Sequence, residues 1–289
     1  MRKVALLLAS LGIMAAAYAE QPKLEVTNVG QELYIENKSS GKDLDDVFFW
    51  NRVGLKYGEN WTFGLQAAKR WSMDHDAGIE STNHRIMLDA WYKVNSDLKV
   101  GTRYRSQKDY DRLYARYDWK HGMLWSAGDF WYQANNTEGG LNDNLEMEWF
   151  PVGLQYGPFK IGYFLNGIKY LGDVAVNQQE DYLEQQIRAY LTLYKGEKLT
   201  VTTEARVTLK TDEDWNNKGY RTFDDFGRNR IYLGADYQVT ENLNTYIKYG
   251  WEFRDWKYED GMTEKEYKNS GKPTQDYYGE FYLGWNYKF

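Results

Sequence analysis

Hydrophobic and polar residues alternate one by one along most of the chain. Near its start, Val53, Leu55 and Tyr57 alternate with polar or small residues, and residues 58–60 form a polar turn before a second alternating segment. A period of two places successive side chains on opposite faces of a β-strand. Residues 199–209 keep this parity throughout, which a helix cannot do. The pattern therefore predicts antiparallel strands joined as hairpins.

Fourteen strands are predicted in this way. They cover residues 24–36, 47–57, 61–71, 82–94, 98–106, 110–119, 123–132, 144–156, 159–168, 182–194, 199–209, 228–239, 243–254 and 277–289. The first strand rests partly on the need for strand 47–57 to run into a short turn. Segment 144–156 changes parity along its length, which predicts a β-bulge near Phe150–Pro151.

The connections between strands are of two kinds. Six short turns alternate with longer polar segments at 72–81, 133–143, 169–181, 210–227 and 255–276. Short turns at one end and long loops at the other, with an even number of strands, are typical of an outer-membrane β-barrel. We therefore predict an all-β fold, a closed antiparallel transmembrane barrel of about 14 strands.

A soluble β-sandwich would show the same alternation, and it stays open as the alternative. The barrel is favoured by rings on the apolar faces close to the turns, because aromatic side chains are enriched at membrane interfaces. These rings are Tyr57, Trp61, Tyr92, Trp119, Tyr156, Phe159, Tyr194 and Tyr237.

Composition narrows the class further. The 289 residues include no Cys, 26 Tyr, 12 Trp and 12 Phe, with a formal net charge of −6. Mean hydropathy is −0.77, which excludes a bundle of membrane helices, since each span needs about 20 mostly apolar residues. The aromatic content argues against disorder, the acidic charge against a nucleic-acid partner, and the absence of Cys against disulfides or Cys-bound metals.

Both ends of the chain carry targeting signals. Arg2 and Lys3, an apolar run and the sequence Ala17–Ala19 resemble a secretory signal peptide, so we expect cleavage after Ala19 and a single barrel domain over 20–289. The last strand alternates and ends in Phe289, which resembles the assembly signal of Gram-negative outer-membrane proteins. The expected partners are the assembly machinery, outer-membrane lipid and lipopolysaccharide.

If the apolar face meets lipid, the other face lines a lumen. Strand parity places the following bases inward: Arg52, Lys56, Arg70, Arg85, Lys93, Arg103, Arg105, Arg112, Arg116, Arg188, Arg206, Arg228, Arg230, Lys248 and Arg254. The inward acids are fewer: Asp89, Asp118, Glu184, Glu204, Asp236, Glu252 and Glu280. The wall is therefore predicted to be net basic, with a mild preference for anions. Alternatively, these residues pair across strands and only stiffen the barrel.

Four of the inward arginines lie on two strands joined by a very short connection. Arg103, Arg105, Arg112 and Arg116 would gather several guanidinium groups on one patch of wall. Such groups bind carboxylates in a bidentate manner, and we expect nearby rings such as Tyr114 and Tyr104 to stack on sugars. The patch makes a channel for acidic oligosaccharides the alternative function.

Other chemistry has little support. Asp74, His75 and Asp76 form the only acid–His cluster, which could suit a barrel hydrolase or a metal site, but flexible loop ligands seldom build either. No phosphate-binding glycine motif is present. We expect no enzyme activity and no cofactor. Segment 210–227 is instead a candidate gating loop, with Asp212, Asp214, Trp215, Asp224 and Asp225 as its candidate residues.

The C-terminal third resembles the porin G (OmpG-like) family. Residues 184–193 (EQQIRAYLTL), segment 223–256 and the ending Gly284–Phe289 are similar to motifs of that family. The resemblance implies a fourteen-stranded, mostly monomeric barrel with a wide, weakly selective pore. Some members close at acid pH through a histidine pair near the loop that corresponds to 210–227, but no histidine follows His121 here. The expected function is an outer-membrane porin for small hydrophilic solutes, and a barrel adhesin or hydrolase is a third alternative.

Overall fold

The chain forms a barrel of fourteen antiparallel strands. The computed structural model describes residues 22–37, 44–74, 78–137, 140–176, 178–216, 220–259, 261–269 and 277–289. The strands are β1 (Leu24–Asn37), β2 (Leu44–Tyr57), β3 (Trp61–Asp74), β4 (Gly78–Lys93), β5 (Leu98–Gln107), β6 (Tyr110–His121), β7 (Leu124–Asn135), β8 (Asn144–Tyr156), β9 (Phe159–Tyr170), β10 (Gln179–Lys195), β11 (Leu199–Trp215), β12 (Arg221–Gln238), β13 (Leu243–Tyr258) and β14 (Tyr277–Lys288). The predicted signal peptide lies outside the described residues.

Every strand pairs with its neighbours in the chain, and the first pairs with the last. β1 is hydrogen-bonded to both β2 and β14, with Val29 opposite Tyr287, so the sheet closes on itself. Closure satisfies the backbone groups that an edge strand would leave open. The predicted fold class and the strand number are confirmed, including the first strand.

The predicted bulge in β8 is also confirmed. The register of β8 against β9 shifts between Trp149 and Val152, and a second shift lies opposite it, between Trp125 and Ala127 of β7. An extra residue in one strand restores the in–out alternation that the parity change would otherwise break.

The six short turns join β2 to β3, β4 to β5, β6 to β7, β8 to β9, β10 to β11 and β12 to β13, so all of them lie at one end of the barrel. Gly58, Gly122 and Gly157 adopt positive φ there, a backbone region that favours glycine. His121 Nδ1 lies 2.7 Å from Asp97 Oδ2 and joins two neighbouring turns. This hydrogen bond lowers the pKa of the exposed Asp97.

The long-loop end differs from the sequence prediction. The predicted loop 210–227 is wrong over most of its length, because β11 continues to Trp215 and β12 begins at Arg221. The backbone ladder does not need an apolar face, so pairing continues where the hydrophobic alternation has ended. β12 is irregular only between Phe223 and Arg228, where Phe226 has φ 59° and is exposed.

The predicted loop 255–276 likewise contains structure. β13 extends to Tyr258, and a short helix, α1 (Glu264–Asn269), follows. Thr263 and Glu266 cap the helix reciprocally, with the Thr263 backbone N–H 2.8 Å from Glu266 Oε2. Hydrogen bonds from Thr263 lower the pKa of Glu266. In the described part of the chain, no helix is long and apolar enough to cross a membrane.

The two faces of the sheet differ sharply in polarity. Large aliphatic residues are exposed on the outside, for example Leu113 (59%), Leu233 (58%) and Ile231 (52%). Their neighbours in sequence point inward and include charged residues that are almost fully buried, such as Glu184 and Glu252. This is the reverse of a water-soluble fold, in which apolar residues are buried and charges exposed. The β-sandwich alternative is therefore wrong.

Candidate functional site

The inward charges meet one another across the interior of the barrel. Contacts reach past the adjacent strand: Arg116 of β6 contacts Asp89 of β4 at 2.6 Å, and Arg228 of β12 contacts Glu184 of β10 at 3.1 Å. Such contacts require both side chains to lie on the concave face. The parity prediction of which charges point inward is supported by this network.

The densest part of the network surrounds Glu252. Its Oε1 lies 2.6 Å from Arg254 Nε, and its Oε2 lies 3.1 Å from Arg228 Nε and 2.6 Å from Arg230 Nε. Arg230 also contacts Glu280, at 3.2 Å. Arg228 of β12 stands directly opposite Arg254 of the adjacent strand β13. Because like charges in that position repel, the shared carboxylate holds them together.

A second network lies between β4 and β8. Asp89 accepts hydrogen bonds from Arg103 at 2.7 Å and from Arg116 at 2.6 Å, and Arg116 also contacts Asp129 at 2.8 Å. Arg112 contacts Glu146 of β8 at 3.2 Å. Three of the four arginines in the predicted patch are therefore engaged by carboxylates. Tyr104 does not belong to the patch, because it faces outward and donates to Asp111.

The wall is less basic than predicted, because 13 inward acids rather than seven stand against the 15 predicted bases. Sequence parity missed acids that also point inward and balance most of the arginines: Glu32, Glu36, Asp46, Asp129, Glu146 and Glu148. A signal was present in the sequence, because Glu32 and Glu36 share parity in β1 and Glu146 and Glu148 share parity in β8. Pairing across strands is observed for Arg52, Arg70, Arg103, Arg112, Arg116, Arg228 and Arg230. Arg206 and Arg254 contact an acid of their own strand. That these pairs only stiffen the barrel stays a prediction. Lys248 shares Glu204 with Arg206.

Three predicted wall arginines form no ion pair with any described residue: Arg85, Arg105 and Arg188. Arg85 donates to Gln107 at 3.0 Å and Arg188 to Gln186 at 2.7 Å, and the Arg188 guanidinium lies 3.3 Å from the centre of the Phe164 ring. Arg105 Nε is buried and makes no hydrogen bond to any described residue. Arg105 is thus the least satisfied cation of the wall.

Aromatic rings lie flat against the inner wall, over glycines of neighbouring strands. The Trp125 ring covers Gly153 and Gly162, where an added Cβ would lie 2.1 Å and 2.6 Å from ring atoms. Lys160 Nζ lies 3.8 Å from the centre of that ring, on its lumen side. Tyr232 covers Gly250 in the same way. The rings therefore pack against the backbone of the neighbouring strands.

This packing leads to a prediction for Gly153→Ala. The added methyl group would push the Trp125 ring off the wall and toward the lumen. We expect a loss of about 1–3 kcal/mol of unfolding free energy, as in other overpacked sites. Urea unfolding of the refolded protein would measure it, with Gly279→Ala as control, since an added Cβ there meets no atom closer than 3.6 Å. Equal stability of both variants would contradict the packing.

The candidate gating residues lie on strands rather than on a loop. The β11 extension to Trp215 pairs with β10 and the start of β12 pairs with β13, whereas the β11–β12 ladder ends at Val207 and Asn229. Asp212 contacts Lys210 at 2.5 Å, and Trp215 stacks on Tyr220 and donates to Glu213 at 2.9 Å. Asp214 pairs with Asp181 of β10, while Asp224 and Asp225 lie in the irregular part of β12. Whether this part of the barrel gates the lumen stays a prediction.

Other candidate chemistry gains nothing from the structure. His75 and Asp76 of the acid–His cluster lie outside the described residues, as does the side chain of Asp74. Within the described ranges, no group of three or more His, Cys, Asp or Glu residues could hold a metal ion.

Comparisons with known proteins show similarity in fold and no significant similarity in sequence. No protein-family model matches the sequence, and a search of curated proteins finds no significant match. The solved structure of a bacterial polysaccharide outer membrane secretin is similar over 91% of this chain and 98% of its own, with a TM-score of 0.53 and 10% identity. This likeness shows the barrel fold alone. The resemblance to the porin G family stays a prediction.

Two further structures are more distant. An anion-selective porin from Comamonas acidovorans covers 92% of this chain and 100% of its own, with a TM-score of 0.45 and 10% identity. OprD from Pseudomonas aeruginosa covers 94% and 96%, with a TM-score of 0.41 and 13% identity. Similarity at this level supports no conclusion about function.

Proposed function

We propose that the protein is a porin of the Gram-negative outer membrane, through which small hydrophilic solutes and ions diffuse passively. The observation that carries this proposal is the inverted polarity of a closed barrel, with aliphatic residues exposed outside and charged residues inside. A lipid-facing exterior and a polar interior are what a transmembrane channel of this type needs.

The rim and the wall support the same assignment. Exposed rings lie near the short-turn end, among them Tyr156 (77%), Tyr194 (55%) and Tyr237 (46%), where they would lie at the membrane interface. Flat rings and ion-paired arginines line the interior. We propose a monomer, inserted through its C-terminal strand, with lipid and lipopolysaccharide around it. No catalytic function is proposed.

Conductance in a planar bilayer tests the channel. The refolded full chain is expected to produce stepwise current increases, because a closed barrel with a polar wall admits ions. Under a salt gradient we expect a reversal potential close to zero, since acids and bases of the wall are nearly balanced. A clear anion preference would instead support the original prediction from the sequence.

A variant that lacks residues 277–289 is the control. It loses β14, which pairs with both β1 and β13, so the barrel cannot close in the same way and no steps of the same size are expected. Refolded full-length protein that inserts but never conducts would refute the proposal. A full chain that stays soluble without detergent would refute the membrane location.

A further inference from the structure

One lumen pocket retains two opposite charges after all ion pairs are assigned. The pocket has a volume of about 230 Å³ and is lined by residues of β5 to β9: Arg103, Arg105, Arg112, Tyr114, Asp129, Trp131, Glu146, Glu148, Asn166 and Ile168. It holds three arginines and three carboxylates. The charges are equal in number, but some of these residues form ion pairs and others do not.

Most of these charges are neutralised by a partner. Arg103 contacts Asp89, Asp129 contacts Arg116, and Arg112 contacts Glu146. Arg105 and Glu148 remain. Neither forms an ion pair or a side-chain hydrogen bond with any described residue, and Glu148 is exposed to the lumen.

The position of Arg105 is unfavourable without a ligand. It stands directly opposite Arg112 in the β5–β6 register, and both guanidinium groups lie against the Tyr110 ring, at 5.3 Å and 4.5 Å from its centre. Directly opposed like charges destabilise a sheet. Elsewhere in the wall a carboxylate between the arginines removes this cost, as Glu252 does, whereas here Glu146 forms an ion pair with Arg112 and not with Arg105.

Arg105 and Glu148 cannot satisfy each other. They lie on β5 and β8, and three strand spacings separate their backbones by about 14 Å. Between them lie the rings of Tyr114 and Trp131, whose centres are 4.9 Å apart and which are both buried in the wall. The site therefore offers a cation and a carboxylate in a mostly polar pocket, with the small exposed parts of two rings between them.

We propose, on the basis of the channel function above, that this pocket binds a small zwitterion of the amino-acid or dipeptide class. Its carboxylate would accept hydrogen bonds from Arg105, its ammonium group would donate to Glu148, and its side chain would lie over Tyr114 and Trp131. The volume is below that of pockets for drug-sized ligands, which favours such a solute over a long oligosaccharide. The pocket is a binding site for zwitterions within a pore that otherwise does not discriminate among small hydrophilic solutes.

Three probes that share the phenylalanine side chain and differ in their charged groups test the proposal. They are phenylalanine, N-acetylphenylalanine and phenylalanine amide. Binding to refolded protein in detergent micelles is measured by saturation-transfer NMR, which does not require conduction, and block of the single-channel current is measured in parallel. We expect phenylalanine to bind about tenfold more tightly than either analogue, because only it makes both charge-assisted contacts.

Two variants assign the contacts. Arg105→Gln should lower phenylalanine affinity to that of the amide, and Glu148→Gln should lower it to that of the N-acetyl form. Neither variant removes an ion pair, so both should fold. Lys93→Gln and Asp118→Asn, which remove one lumen charge each outside the pocket, should leave the affinity unchanged.

The outcomes separate the site from the channel. Tightest binding of N-acetylphenylalanine would replace the proposal with a simple anion site, and tightest binding of the amide with a cation site. Equal affinity of all three probes, or affinities that do not change in Arg105→Gln and Glu148→Gln, would also overturn it. NMR binding without conductance would refute the porin function and leave the site standing, whereas conductance without binding would do the reverse.

Discussion

Glu252→Gln is expected to lower the unfolding free energy by about 3–5 kcal/mol, the usual cost of removing one partner from a buried ion pair. The Glu252 side chain is 1% exposed and contacts Arg228, Arg230 and Arg254, which are themselves only 10–23% exposed. Without its negative charge, three guanidinium groups would face one another. The unfolding free energy, measured by urea titration of the protein refolded in micelles, reports the loss.

Two controls show whether the effect belongs to the network. Glu241→Gln removes the same charge from an exposed turn residue and should change the free energy by less than about 0.5 kcal/mol. High salt should not mimic Glu252→Gln, because buried pairs are screened much less than exposed ones. A Glu252→Gln protein as stable as the parent would show that Glu184, Glu280 and lumen water are sufficient partners for the three arginines.

Leu233→Arg is expected to destabilise the inserted barrel by about 2–4 kcal/mol, the cost of an arginine facing lipid near the bilayer midplane. Leu233 is 58% exposed on the outer face, in the central part of β12. On a water-soluble protein, a charge at an exposed position would cost almost nothing. Unfolding from lipid vesicles, followed by urea titration, measures the difference.

Val176→Arg is the matched control. Val176 is 70% exposed but lies between β9 and β10, at the long-loop end, where an arginine remains in water. We expect no loss of stability there. Equal effects of the two substitutions would mean that the exposed aliphatic face does not meet lipid, and the membrane assignment would fail with it.

The number of strands and the side chains that point inward could be predicted from the sequence, because both depend on the local alternation of hydrophobic and polar residues. Each hairpin carries its own period of two and its own turn, so fourteen strands and even the bulge in β8 could be predicted one segment at a time. The residues at which the strands end on the long-loop side could not be predicted in this way. From Lys210 to Asp214 both faces of β11 are polar, and its ladder with β10 continues without any hydrophobic alternation.

The sequence by itself determined the closed barrel and most of the residues that face its interior. Only the tertiary structure decided which of the inward charges are neutralised. Arg103, Arg105 and Arg112 are equivalent in the sequence pattern, yet two contact carboxylates and Arg105 contacts none. The partners come from other strands, so pairing depends on the register around the barrel and on its curvature. Neither is encoded in the alternation of any one strand.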